Sequence, residues 1–314
     1  MNQPPGAVAD VNVWTPRIIL SFLALSLIWG STWIVIKDQL GVVPPVWSIS
    51  YRFIAATLAM FALAALRGQP LLLNRGGHVW ALVLGLTQFV FNFNFVYRAE
   101  LYITSGLVAV MFALLMVPNA ILARIFLKQR ITGAFVIGSI VAGAGVALLF
   151  VQEYRQADIG LAAVLIGVAL TCGGILSASS ANIIQATEGA KRYPILTLLG
   201  WAMLWGTLFN LTTAILTAGP PVVEARATYF VGLIYLGVIG STATFPVYFG
   251  LVREIGAGRA AYTGLLIPIV AMVFSTIFEG YRWSLLAIGG AALGLIGLAI
   301  AMAARRPKVP RVPG

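Results

Sequence analysis

The sequence predicts an all-α integral membrane protein of ten transmembrane helices, arranged as two inverted-topology five-helix repeats around a central cavity. Three observations carry this reading. Charged residues make up 9% of the 314 residues and hydrophobic ones 60%, with a mean hydropathy of +0.97. A soluble domain carries about 25% charged residues, because the surface around one core must be covered by polar groups. Ten apolar runs each reach the length of about 20 residues that a helix needs to cross the hydrocarbon. Landmarks in the first half also recur in the second at an almost fixed offset.

Backbone groups in lipid must be hydrogen-bonded internally, so each run reads as a helix. In order the runs are Ile18–Ile36, Val46–Leu66, Val79–Tyr97, Thr104–Phe126, Ile131–Val151, Ile159–Gln185, Ile195–Thr217, Tyr229–Val252, Ala260–Glu279 and Trp283–Ala303. Their connections are too short for an extramembrane domain, and the ends, residues 1–16 and 305–314, read as polar, Pro-rich cytoplasmic tails. The first run is too long for a signal core and has no small-residue cleavage site, so no cleavable leader is expected.

The net charge of +11 does not imply nucleic acid, because the 20 Lys and Arg stand singly or in small groups at the ends of apolar runs. With the N-terminus inside, one side holds Arg17, Arg67, Arg75, Arg124, Lys128, Arg130, Lys191, Arg192, Arg253, Arg259, Arg305, Arg306, Lys308 and Arg311. The other holds Lys37, Arg98, Arg155, Arg226 and Arg282, and Arg52 lies within a span. This 14:5 split places both termini in the cytoplasm, as an even number of spans requires of one another.

The halves, 17–152 and 153–304, repeat. Met116-Val117-Pro118 and Leu266-Ile267-Pro268 are 150 residues apart, Pro45 and Pro194 149, Ser139/Gly143 and Gly290/Gly294 151, and Gly85 and Gly237 152. Five spans is an odd number, so the second copy enters from the opposite side, the arrangement of many secondary transporters with a substrate site between the halves.

Trp29-Gly30-Ser31-Thr32-Trp33 with Lys37, Tyr51-Arg52-Phe53-Ile54-Ala55 in span 2, and Leu266-Ile267-Pro268 with Glu279 in span 9 resemble the EamA family of the drug/metabolite transporter superfamily. Within that family the chain looks most like the YddG-type exporters of aromatic amino acids. The resemblance spans the chain and implies export of small organic metabolites by alternating access, with amino acids bearing aromatic or apolar side chains as substrates and the bacterial inner membrane as the location. One departure is that Glu279 has Gln129 at the equivalent place in the first half.

No catalytic residue, metal site or cofactor is expected. His78 is the sole histidine, Cys172 the sole cysteine, and no zinc-binding, nucleophile-elbow or phosphate-cradling motif occurs. The nine acidic residues, Glu100 and Glu279 among them, all lie at span ends or in loops, so no carboxylate relay crosses the midplane. Flux driven by the substrate's own gradient is therefore expected, with the boundary carboxylates as the alternative. The expected partners are a small-molecule substrate and the lipid bilayer, without nucleic acid, and a monomer is compatible with the sequence. Other classes to weigh are a drug or other metabolite exporter, an intramembrane enzyme and a channel.

Candidate cavity residues are polar or aromatic groups on common helical faces. Span 1 offers Ser26, Gly30 and Trp33 with Lys37, span 3 Gln88, Asn92 and Phe95, and span 6 Ser177 and Ser180. Span 8 offers Ser241, Thr244, Phe245 and Tyr248, with Thr244 the repeat mate of Asn92, and span 9 offers Tyr262. Each also has a plainer role in helix packing or in bonding its own backbone. Arg52 lies about 10 Å deep at roughly 1.5 Å per residue, either as an interhelical structural arginine or as a contact for a substrate carboxylate. With Lys37 it forms the possible charge contact. Pro118 and Pro268 interrupt their helices and are candidate hinges, and the small residues of spans 5 and 10 read as packing motifs.

Overall fold

The computed structural model describes residues 15–156, 160–255, 260 and 263–303. Tyr262, Asp158, Arg259 and the terminal stretches 1–14 and 304–314 lie outside the described residues. Ten membrane helices follow one another in the expected order: α1 (Pro16–Asp38), α2 (Pro45–Leu66), α3 (Arg75–Ala99), α4 (Ser105–Leu127), α5 (Gly133–Gln156), α6 (Gly160–Ala186), α7 (Ile195–Ala218), α8 (Ala227–Ile255), α9 (Thr263–Phe278) and α10 (Leu285–Ala303). Eight are long and apolar enough to cross a membrane, and α9 and α10 add two shorter apolar helices. The chain is a multi-pass membrane protein, all-helical among the described residues.

Local sequence sets the helix ends. Thr15, Asn74 and Thr104 cap α1, α3 and α4 by accepting from the backbone N–H three residues on, at 3.4, 2.8 and 3.4 Å. Pro44 and Pro194 stand in the N-cap positions of α2 and α7. Those helices close on Gly68 and Gly219, whose φ of 63° and 77° suits glycine alone without strain.

The repeat is visible in the packing. α2 lies against α7, α5 against α10 and α4 against α9, each pair joining equivalent helices of the two halves. The remaining large interfaces come in matched pairs: α1 on α9 with α6 on α4, α3 on α6 with α8 on α1, and α2 on α8 with α7 on α3. This is the pattern an inverted repeat related by a two-fold axis must give. Thr57 and Thr207, 150 residues apart, meet across the α2–α7 seam at 3.3 Å.

Both third helices depart from α geometry at equivalent places, Gly85–Asn92 in α3 and Tyr235–Ala243 in α8, where i→i+5 bonding inserts an extra residue per turn. Each segment contains a glycine in backbone contact with the partner half. A Cβ on Gly85 would fall 2.5 Å from the Ala202 carbonyl oxygen, and one on Gly237 2.8 Å from that of Arg52. Ala202 and Arg52 are themselves 150 residues apart.

The α5–α10 seam corrects the expected packing motif. Gly138, Ala142 and Gly145 press backbone against Gly290, Gly294, Gly297 and Ala301, whereas a side chain at Gly143 would meet nothing within 4 Å and Ser139 Oγ donates to Phe135 O of its own helix. Two glycine-rich registers on α5 satisfy the same small-residue spacing, and spacing alone does not distinguish the face that packs. Gly145→Ala drives a Cβ to 2.5 Å from Gly290 O and should cost about 1–3 kcal/mol, read as a lower Tm in detergent. Gly143→Ala should leave the Tm unchanged or slightly raised.

Candidate functional site

A central cavity of about 140 Å³ lies between the halves, roughly ten times the 10–15 Å³ that a single water requires. Its wall is mostly aromatic. Trp29 meets Tyr248 and Phe245 with ring centroids 5.0 and 5.6 Å apart, Trp33 meets Phe112 at 5.1 Å, and Phe93 meets Phe245 at 6.5 Å. The polar lining is sparse and neutral apart from one residue: Thr32, Gln88, Asn92, Asn182, Tyr248 and Thr263, with Arg52 as the sole charge among the described lining residues.

Arg52 is 2% exposed. Its Nε and Nη2 donate to Ser241 Oγ at 3.3 and 3.1 Å, and Nη1 lies 3.5 Å from Tyr97 Oη. The guanidinium carbon stands 4.4 Å from the centroid of the Phe93 ring, within cation–π range. These contacts are to neutral groups, so the charge has no carboxylate partner among the described residues. Two further polar atoms on lining residues, Trp33 Nε1 and Asn92 Oδ1, are buried without a hydrogen-bond partner. In a water-poor interior such atoms are costly unless something bonds them.

Several other polar side chains around the cavity are engaged in part, although Asn119 Nδ2, Gln39 Nε2 and Gln185 Nε2 are also buried without a partner. Trp29 Nε1 donates to Thr244 Oγ1 at 3.0 Å and to Gly240 O at 3.2 Å, and Asn119 Oδ1 accepts from Ser179 Oγ at 2.8 Å and Asn182 Nδ2 at 3.3 Å. At one end Lys37 Nζ donates to the backbone oxygen of Glu100, Tyr97 Oη donates to Gln39 Oε1 at 3.2 Å, and the Glu279 carboxylate accepts from Ser105 N at 3.2 Å and Ser105 Oγ. Arg226 beside them pairs with Asp38 and Glu224, each at 2.7 Å. At the other end Arg253 donates to Gln185 Oε1 at 2.9 Å and Tyr193 O at 3.0 Å.

Of the residues expected to line the cavity, Trp33, Gln88, Asn92, Phe245 and Tyr248 do so, together with Arg52 and Pro268. Ser241 and Thr244 stand directly behind the wall as partners of Arg52 and Trp29. Five others belong to packing. Ser26 bonds Phe22 O at 2.7 Å, Gly30 faces Val270 and the Ile267 carbonyl of α9, Phe95 packs on Gly173 of α6, and Ser177 and Ser180 lie off the lining, Ser180 Oγ donating to Leu176 O at 3.0 Å. Lys37 sits outside the lining, at the end where Glu100 is buried away from solvent and which is closed in that sense.

The prolines are not equivalent. Pro268 lies inside α9 and denies Gly264, a lining residue, its i→i+4 bond. Pro118 would deny Leu114 the same bond, but the 3₁₀ turn Ala113–Leu115 already changes the bonding there. Trp29, Thr32, Phe93, Phe112 and Asn182 line the cavity without standing out in the sequence pattern. Trp29 and Thr32 lie inside the motif that ends at Trp33, and Asn182 is an amide in an otherwise apolar span.

The EamA-like transporter family matches residues 16–151 and again 159–303. Protein PagO of Salmonella typhimurium is 24% identical over 273 residues, covering 85% of this chain and 86% of its own. A probable amino-acid metabolite efflux pump of the same organism is 23% identical over 288 residues, covering 89% and 93%. A crystal structure of 17% identity superposes over 94% of this chain and 100% of its own with a TM-score of 0.69, a likeness of fold.

The unpartnered atoms yield a contrast. Trp33→Ala and Asn92→Ala should each cut transport at least tenfold with expression near normal, while Ser180→Ala, whose hydroxyl bonds its own helix, should transport like the parent. Equal transport by all three in proteoliposomes would place the substrate elsewhere.

Proposed function

Because the chain belongs to the EamA-like transporter family, we propose that it exports small amphipathic metabolites, foremost amino acids with aromatic or apolar side chains. It works by alternating access across the bacterial inner membrane, with both termini in the cytoplasm. One observation carries the substrate class. Position 52 and its repeat equivalent, 202, make the same packing contact, each offering its carbonyl to a glycine of the opposing half. On one side the residue is Arg, on the other Ala. That contact is made by the backbone alone, so the guanidinium plays no part in it and is directed instead to Ser241, Tyr97 and the cavity. A buried cation that lines a cavity, rests on an aromatic ring and has only neutral partners suits a carboxylate, and the surrounding rings suit an apolar side chain.

In this reading the substrate carboxylate pairs with Arg52, its ammonium meets the amide oxygens of Gln88, Asn92 and Asn182, and its side chain lies among Trp29, Trp33, Phe112 and Phe245. Drugs and metabolites without a carboxylate are the second reading, and Arg52 discriminates the two. A hydrogen bond to a charged group contributes about 1.5–3 kcal/mol, so Arg52→Ala should slow efflux of labelled phenylalanine or leucine by roughly ten- to a hundredfold. The substitution also removes the bonds to Ser241 and Tyr97, so Tm is read alongside, and slowed efflux counts for the assignment where the variant stays folded. If Arg52→Ala transports these amino acids normally, the carboxylate assignment fails.

No Asp, Glu or His lies in the middle of a span, so substrate should flow down its own gradient without a transmembrane pH gradient. The 14:5 split of Lys and Arg supports the orientation. In a Cys172→Ala background, Lys128→Cys should label from the cytoplasmic side alone. Labelling from outside would reverse the topology.

A further inference from the structure

Glu100, the residue after α3, is 0% exposed, and both its carboxylate oxygens are buried without a hydrogen-bond partner. It stands at the closed end of the cavity, one turn beyond the lining residue Val96 and in the same helix end as Tyr97. The charged and titratable groups around it come from every neighbouring element. Lys37 of α1 spends its hydrogen bond on the Glu100 backbone oxygen, Arg52 of α2 is turned to Ser241 and Tyr97, and Tyr97 donates to Gln39. Glu279, after α9, is held by the backbone N–H and hydroxyl of Ser105 and adds a second negative charge. Tyr281, in the α9–α10 connection, belongs to the apolar cluster that contains Ala99. An ionised carboxylate at this place has lost its water and gained no donor, and that is among the most costly arrangements a protein can hold.

We propose that Glu100 is a proton-binding site that controls this end of the cavity: it holds a proton while the end is closed, as in this structure, and releases that proton to the water on the same side whenever the end opens. The proposal rests on the alternating-access reading above and names what gates it. Closing reverses the step, the carboxylate taking a proton from the same side as it leaves water, so each open–close cycle moves no net proton across the membrane. Desolvation holds the Glu100 carboxyl well above the usual range; Lys37 opposes this, Glu279 adds to it, and Arg52 opposes it.

The sign of the pH dependence follows from linkage. The open state, with Glu100 in water near the ordinary value of about 4.3, binds fewer protons than the closed one. Raising the pH on that side therefore favours opening, and acidifying it favours closure. Between the two carboxyl values the ratio of open to closed molecules should change about tenfold per pH unit.

The test reads opening directly and needs no substrate. In a Cys172→Ala background, Ala109→Cys places a thiol on the cavity wall, and Val42→Cys, 64% exposed between α1 and α2, serves as the reference for intrinsic thiol reactivity. Reconstituted protein is labelled with a membrane-impermeant maleimide from the Glu100 side while the opposite pH is fixed. Labelling at Ala109→Cys relative to Val42→Cys should fall when that side is acidified by one pH unit, approaching about tenfold where closed molecules predominate. Adding Glu100→Gln should make it low and flat with pH, whereas Glu100→Asp should keep the slope. Acidifying the opposite side alone should leave the Ala109→Cys labelling unchanged.

A pH-independent parent, or a Glu100→Gln variant with the parent's slope, overturns the proposal. An equal response to the opposite side does so as well, and it is measurable even if the Gln variant fails to fold. A flat profile with transport intact removes this proposal alone. A cavity thiol labelled from neither side removes the alternating-access reading with it.

Discussion

Hydrocarbon offers no water to hydrogen-bond, so every polar group inside this bundle must find a partner in the protein. Most do so by simple means. Thr87, Thr171, Thr207, Thr212, Thr213 and Thr217 turn their hydroxyls back onto the carbonyl four residues earlier, and Asn94 and Asn210 pair across α3 and α7 at 2.8 Å. Unpartnered buried atoms also occur away from the cavity, at Trp47, His78, Asn94 and Trp205 among others, and those around the cavity are informative because they border space that a solute can enter. Arg52 has only neutral neighbours, while Trp33 Nε1, Asn92 Oδ1 and the carboxylate of Glu100 have none. The first three lie on the cavity and the last at its closed end. The same constraint that forces ten helices thus outlines the place where a polar solute fits.

The two halves share their packing and differ in their chemistry. Glycines at 85 and 237 allow equivalent π-helical segments to approach α7 and α2, and the helix pairs map onto one another throughout. Against that regular frame the departures stand out. Arg52 faces Ala202 in the repeat, Glu279 faces Gln129, and a helix-interior Pro268 faces a Pro118 preceded by a 3₁₀ turn. A transporter built of two like halves needs a site with two distinct ends if its substrate is to bind in one orientation. A buried cation in one half with alanine at the equivalent place in the other supplies that difference without disturbing the shared interfaces.

The helices were legible from hydropathy because crossing lipid leaves a single-chain segment no other way to bond its backbone. The repeat was legible from proline and glycine spacing, since those residues act on the backbone and keep their place. The faces were less legible. Gln88, Asn92 and Phe95 share one face of a regular α-helix, but the π segment ending at Asn92 inserts a residue and turns the rest of α3, so Phe93 and Val96 reach the cavity and Phe95 packs on α6. On α1 the cavity face runs through Trp29, Thr32, Trp33 and Ile36, while the small side Ser26–Gly30 serves the close approach of α9. Small residues mark where something comes close to a helix, and their pattern is the same for a neighbouring helix as for a ligand.

Glu100 shows a third limit of the sequence. By position it is a boundary residue, of the kind that ordinarily rests in the headgroup layer, yet it is removed from solvent entirely. Depth along the membrane normal and exposure to water are separate quantities, and only the first can be counted along a helix. The distinction matters for coupling. A carboxylate at the midplane can be reached from either side in turn and so can carry a proton across. One at the end of the cavity exchanges with one side only, and its titration weights the open and closed states without linking substrate flux to the proton gradient. Downhill flux that needs no proton gradient and a gate that senses pH are therefore compatible in one molecule, and the placement of its nine acidic residues is what makes them so.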